Sequence, residues 1–129
     1  MQERSPTSSK IEETINFTEE REQGDVKFIC KLGDNTVGSI VVTKIGENSY
    51  NIGALFVDSS QRNKGIGSNL VKKVNYFLQQ NKAQGRLINT IHGDSSVIYE
   101  NNGWTKGEYK SQGAYGGYEY TYNIDNKSK

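Results

Sequence analysis

A chain of 129 residues with 33% hydrophobic residues and a mean hydropathy of -0.78 builds one domain around a modest core. Its 16 basic and 15 acidic residues nearly cancel, so it lacks the clustered basic face that nucleic acid or an anionic membrane requires. A single cysteine (Cys30) excludes an internal disulfide, a single histidine (His92) leaves no usual zinc constellation, and no apolar run suits a membrane span or signal peptide, so a cytoplasmic, metal-free protein is expected.

Residues 1–10 are polar, contain the only proline and show no periodicity, so they read as a flexible tail. Residues 126–129 read the same way, which leaves one domain over 11–125. Ile11, Ile15 and Phe17 predict a first strand. Gln23-Gly24-Asp25 then turns the chain into Val26–Leu32, which alternates as a half-buried strand does, with Cys30 as a small core residue beside Phe28. Gly33-Asp34-Asn35 and Gly46-Glu47-Asn48 are turn signals around a third strand, Thr36–Lys44. In a fourth strand, Tyr50–Val57, alternation sets Tyr50, Ile52, Ala54 and Phe56 on one face and Asn51, Gly53, Leu55 and Val57 on the other. After Asp58 the period changes. Ile66, Leu70, Val71, Val74, Phe77 and Leu78 recur at helical spacing, and Lys72, Lys73, Asn75, Gln79 and Gln80 cover the other side. A short strand at Arg86–Ile91 follows, then a short helix capped near Asp94-Ser95-Ser96 and halted by Gly103. Strands around Glu108–Ser111 and Tyr118–Ile124, flanking a turn over 113–117, complete an α+β domain. Its sheet is mostly antiparallel, with one main helix and one short helix.

The segment Arg62-Asn63-Lys64-Gly65-Ile66-Gly67 joins the fourth strand to the main helix. Gly65 and Gly67 let backbone approach a ligand with no Cβ in the way, and glycine tolerates positive φ. The first amides of the helix then converge on one spot with the positive end of the helix dipole behind them, an arrangement that suits a pyrophosphate. Each charge-assisted hydrogen bond contributes about 1.5–3 kcal/mol, so backbone dominates and Arg62 and Lys64 assist. A Rossmann fingerprint needs glycine where Leu70 stands, and the Gly-Lys-Ser/Thr of a P-loop is absent. On these residues alone, a tight strand-to-helix turn without a ligand is the alternative.

Two stretches together resemble the GNAT superfamily of acyl-coenzyme A N-acyltransferases. One is Leu55-Phe56-Val57, followed after a short loop by Arg62-Asn63-Lys64-Gly65-Ile66-Gly67; the other is Ile98-Tyr99-Glu100-Asn101-Asn102-Gly103-Trp104. The resemblance covers about residues 13–125 and implies acetyl-CoA as cosubstrate, without a metal. It implies that the backbone of Phe56 and Val57 pairs with the pantetheine arm, that the amides of Arg62, Asn63, Lys64, Gly65, Ile66 and Gly67, together with Ser68, hold the pyrophosphate, and that Tyr99 donates a hydrogen bond to the departing sulfur. The family's asparagine near the start of the second helix falls at His92–Asp94, where this sequence has none, and Ser59 stands at a common proline position. Without the resemblance, Tyr99 and Trp104 read as core aromatics.

Acyl transfer to a lysine-like amine of pKa about 10.4 requires a neutral form that lies roughly 4.6 kcal/mol uphill at pH 7, so a site must desolvate the amine or supply a base. The fourth strand carries no Asp or Glu, and neither Asp58, His92 nor Glu100 is assigned as the base. Tyr109, Tyr115 and the stripe Tyr118, Tyr120, Tyr122 read either as sheet packing or as an acceptor cleft, with Glu108 or Glu119 attracting the amine's charge. Relatives place helices between the first two strands, but Glu19–Asp25 is too short for them. The acceptor groove is therefore expected to be open, or closed by a second copy in a homodimer, and to favour an amine on a protein or peptide. The other class of function is a non-catalytic module that binds acyl-CoA as a sensor.

Overall fold

A computed structural model of the chain describes residues 14–62, 64–90, 95–112 and 115–123, except for the side chains of residues 88–90, 95, 112 and 115. The expected tails, residues 1–10 and 126–129, lie outside the described residues, as does Ile11 of the expected first strand. The elements run β1 (Ile15–Glu22), β2 (Asp25–Leu32), β3 (Asn35–Gly46), β4 (Ser49–Val57), a 3-10 turn at Ser59–Gln61, α1 (Ile66–Gln80), β5 (Gln84–Thr90), α2 (Ser95–Asn101), β6 (Thr105–Gln112) and β7 (Tyr115–Tyr122). The seven strands form one sheet in the order β1-β2-β3-β4-β5-β7-β6. All neighbours are antiparallel except β4 and β5, which α1 joins as a parallel crossover. The α+β reading holds.

β1 and β2 are linked by Gln23 and Gly24 alone, both at positive φ, in a tight hairpin with Arg21 opposite Val26. The space for a helix between these strands is thus smaller than the sequence suggested. Both helices pack on one face of the sheet. Leu70, Val71, Val74 and Leu78 of α1 are fully buried against Phe28, Ile40, Val42 and Ile52, and Tyr99, Trp104, Tyr120 and Tyr122 extend the same cluster. Burying each such aliphatic side chain contributes about 1.5–3 kcal/mol, which anchors α1 and fixes where its first turn lies.

Two expected patterns are broken, each for a local reason. Ile40 pairs with Leu55 and Val42 with Ile52, so β4 carries one extra residue at Gly53-Ala54. This bulge inverts the alternation. Tyr50 and Ile52 face the core, but beyond the bulge Leu55 and Val57 pack against it, while Ala54 and Phe56 are exposed. Asn75, expected on the solvent side of the helix, is instead the buried polar residue of the described core at 8% exposure. It lies four residues after Val71 and three before Leu78, within the apolar stripe. The final hairpin is also longer than expected, with residues 115–117 inside β7.

Candidate active site

β4 and β5 pair only from Ser49–Asn51 to Gln84–Arg86. Past that point β4 keeps β3 as far as Val57 opposite Gly38, and β5 keeps β7 as far as Thr90 opposite Gly117. The two strands diverge, so the β5-facing edge of β4 from Ile52 to Val57 has no strand beside it. An unpaired edge inside a sheet offers backbone donors and acceptors to an extended, amide-bearing arm, as strand addition does.

At the wide end of this gap the chain folds into the loop that leads to α1. The Asp58 N–H donates to the Val37 carbonyl at 2.8 Å, and the Ser60 hydroxyl donates to the Asp58 carboxylate at 2.5 Å, which accounts for Asp58 locally. Arg62 Nε donates to the Val57 carbonyl at 3.3 Å and Lys64 Nζ to Gln61 Oε1 at 3.3 Å. Both cations therefore brace the loop, and Arg62 takes up one of the strand carbonyls expected for the arm. Asn63 lies outside the described residues. Gly65 is the N-cap of α1 at φ 81°, its carbonyl accepts the Asn69 N–H at 2.9 Å, and among the described residues no side chain caps the helix. The leading amides, Ile66, Gly67 and Ser68, thus have no capping acceptor among the described residues, which leaves partial positive charge at the mouth of the gap.

The two glycines do different work. A Cβ on Gly65 would meet nothing within 4 Å, so that residue fronts open space and is required for its left-handed backbone. A Cβ on Gly67 would stand 2.9 Å from Ile98 Cδ1 and 3.5 Å from Val57 Cγ2. Gly67 is buried, and its lack of a Cβ lets α1 close on β4 and α2.

Tyr99, on the inner side of α2, is 2% exposed and stacks edge-on against Trp104 with ring centroids 5.3 Å apart. Burial raises its pKa well above the usual phenol range, so it is protonated at neutral pH. Among the described residues its hydroxyl has no hydrogen-bond partner. A polar network that the sequence reading missed sets this helix against α1. Trp104 Nε1 donates to Asn75 Oδ1 at 2.8 Å, Asn75 Nδ2 donates to the Asn102 carbonyl at 2.8 Å, and Asn102 Nδ2 donates to the Ile98 carbonyl at 2.7 Å and to the Ser68 hydroxyl at 3.2 Å. Its available signal was an asparagine at a helical core position.

The tyrosine stripe of β7 divides. Tyr120 and Tyr122 are buried, and their hydroxyls meet Glu100 Oε2 (2.7 Å) and Gln79 Nε2 (2.5 Å), which fastens α2 and α1 to the sheet. Glu100 is exposed and accepts from Tyr120. Tyr118 and Tyr109 remain exposed and stack edge-on at 5.6 Å. Glu119 is held by Arg86 at 2.9 Å. His92 and the neighbouring residues through Asp94 lie outside the described residues, as does the Tyr115 side chain.

Residues 23–106 match the family description "acetyltransferase (GNAT) domain", well over half of the chain. The chain belongs to the GNAT acetyltransferase family. N-alpha-acetyltransferase 30 of Xenopus laevis is 34% identical over 86 residues, a match covering 61% of this chain and 31% of that protein; the human counterpart gives the same identity over 24% of its length. The chain therefore spans a third or less of these curated relatives. Among solved structures, a GNAT-family acetyltransferase from Staphylococcus aureus Mu50 superimposes with a TM-score of 0.67 at 21% identity, covering 78% of this chain and 68% of that one. An aminoglycoside 6'-N-acetyltransferase complexed with coenzyme A gives 0.69 at 16% identity over 80% and 74%. At these identities the two structures speak for the GNAT fold. Among the described residues no helix is long and apolar enough to cross a membrane.

Proposed function

We propose that this GNAT domain transfers an acetyl or other short acyl group from acetyl-CoA to the α-amine at the N-terminus of a peptide or protein. The gap between β4 and β5, ending on an uncapped helix start, carries the cosubstrate half of the reading: the unpaired edge fits the pantetheine arm and the Ile66–Ser68 amides fit the diphosphate. Bound acetyl-CoA supplies an activated thioester. The amine nitrogen forms the C–N bond, the C–S bond breaks, the Tyr99 hydroxyl donates a hydrogen bond to the departing thiolate, the amine's surplus proton leaves to solvent, and the thiolate takes up a proton from solvent.

The absence of any carboxylate on β4 carries the acceptor half. A lysine side chain needs about 4.6 kcal/mol to present a neutral amine at pH 7, whereas an α-amine of pKa about 8 needs only about 1 kcal/mol. A strand with no base on it therefore suits an α-amine better. The bare face of the sheet leaves room for an extended peptide, and the similarity to N-alpha-acetyltransferase 30 supports this choice. To test it, the full chain is given acetyl-CoA with peptides of varied first residue, N-terminally blocked lysine peptides, and free polyamines, and thiol release is followed. Turnover is expected with free-N-terminus peptides. Turnover confined to blocked lysine peptides or polyamines overturns the acceptor assignment, and coenzyme A binding with no turnover for any amine favours the sensor module.

A further inference from the structure

Ser68 is the third residue of α1, at the point where the helix presents its uncapped amides. A serine hydroxyl has one proton and two lone pairs. Asn102 Nδ2 occupies a lone pair of this one at 3.2 Å, so the hydroxyl proton must go elsewhere. A helical serine ordinarily turns that proton back to a carbonyl one turn earlier. No such bond forms here, and the Gly65 carbonyl takes the Asn69 N–H instead. Among the described residues the Ser68 proton has no acceptor.

Asn102 is held in place on several sides. Its side-chain nitrogen also donates to the Ile98 carbonyl at 2.7 Å, its own carbonyl accepts from Asn75 at 2.8 Å, and its N–H donates to the Tyr99 carbonyl at 3.0 Å. One residue thus touches both the helix that bears Tyr99 and the first turn of α1.

From this we infer that Asn102 is a positioning residue for the diphosphate. By donating to the Ser68 oxygen it turns the Ser68 proton outward, adding an aimed hydroxyl donor to the backbone amides of α1. The inference rests on the reading that the diphosphate lies at the start of α1. It concerns a residue that touches no cosubstrate atom and acts through Ser68.

The test is a double-mutant cycle read as the Kd for coenzyme A, by calorimetry on the full chain, with melting temperature measured alongside. Ser68→Ala is expected to weaken binding about tenfold and Asn102→Ala about threefold, as befits loss and misdirection of one charge-assisted bond. The double variant should bind as Ser68→Ala does, because Asn102 has nothing left to aim. A general loosening of α2 would lower the melting temperature and weaken binding equally in both backgrounds; that result overturns the inference. Unchanged affinity in both single variants also overturns it while leaving the backbone site standing. No affinity of the parent chain at millimolar coenzyme A removes the cosubstrate reading and this inference together. Should Asn102→Ala fail to fold, Asn102→Leu, which keeps the volume, replaces it in the cycle.

Discussion

The two faces of this sheet are built to different standards. The helix-bearing face holds α1, α2, the buried aromatics and the linked hydrogen bonds of Ser68, Asn75, Asn102 and Trp104. The opposite face, left uncovered by the two-residue β1–β2 connection, shows an exposed Phe56 and an ion pair between Arg86 and Glu119. In the proposed reaction the diphosphate, the arm and the Tyr99 donor have to be fixed together, and packing on the helical side would supply that. The proposed acceptor side has no such scaffold of its own among the described residues.

The largest expected effect lies where that precision meets chemistry. Tyr99→Phe should reduce kcat by about a hundredfold, the low end for a positioned acid, while the KM for acetyl-CoA stays put. Because the hydroxyl has no partner among the described residues, the melting temperature should hold or rise slightly, since no hydrogen bond is lost and a buried polar group is removed. A parallel fall in kcat and stability would mean that Tyr99 is structural. Next in size is Trp104→Phe. It retains most of the packing but removes the indole N–H and leaves Asn75 Oδ1 buried without its donor, at a cost of about 2 kcal/mol in urea unfolding. A loss below about 0.5 kcal/mol would show that the network does not hold the two helices together.

How far this difference between faces was legible depends on the kind of signal each element carries. Changes of period from two to about four placed β2, β3, β4 and α1 within a residue or two, because hydrophobic burial writes a repeat into the chain. The Gly65 loop was legible for the same reason: a helix start after a strand leaves orphan amides whatever the side chains are. The β4 bulge escaped because alternation was extended through Gly53, although a glycine inside a strand is where pairing slips. The packing role of Gly67 escaped because a missing Cβ makes room on whichever side the backbone turns it, and only the packed structure shows Ile98 there. The Tyr120–Glu100 bond spans 20 residues and depends on how α2 crosses β7, which no local pattern encodes.

That bond gives the third prediction, which acts on the helical face alone. Burial, followed by the hydrogen bond and charge of Glu100, raises the Tyr120 pKa to about 12. The folded state therefore favours the protonated phenol. Its contribution to stability is complete below pH 10, the unfolded value, and is lost as pH rises through about 12. Chemical unfolding from pH 9 to 12 should show a decline on the order of 2 kcal/mol that is much smaller in Tyr120→Phe. An identical alkaline decline in both proteins would assign it to other groups, Tyr99 first among them.

The smallest effect is expected on the bare face, and its smallness is what makes it informative. Arg86 is half-exposed and its ion pair with Glu119 is open to solvent, so Arg86→Ala should change stability by less than about 0.5 kcal/mol. Coenzyme A affinity should not move either, because the pair lies across the sheet from the helices. What the substitution does change is local charge: Glu119 loses its partner and can attract a cation approaching from that side. For a peptide acceptor with a protonated N-terminus or basic residues, KM should fall at low ionic strength and return toward the parent value as salt screens the carboxylate. If KM is indifferent to the substitution at low salt while kcat and stability are intact, the acceptor does not cross this face, and the comparison between a packed cosubstrate side and an open acceptor side loses its second half.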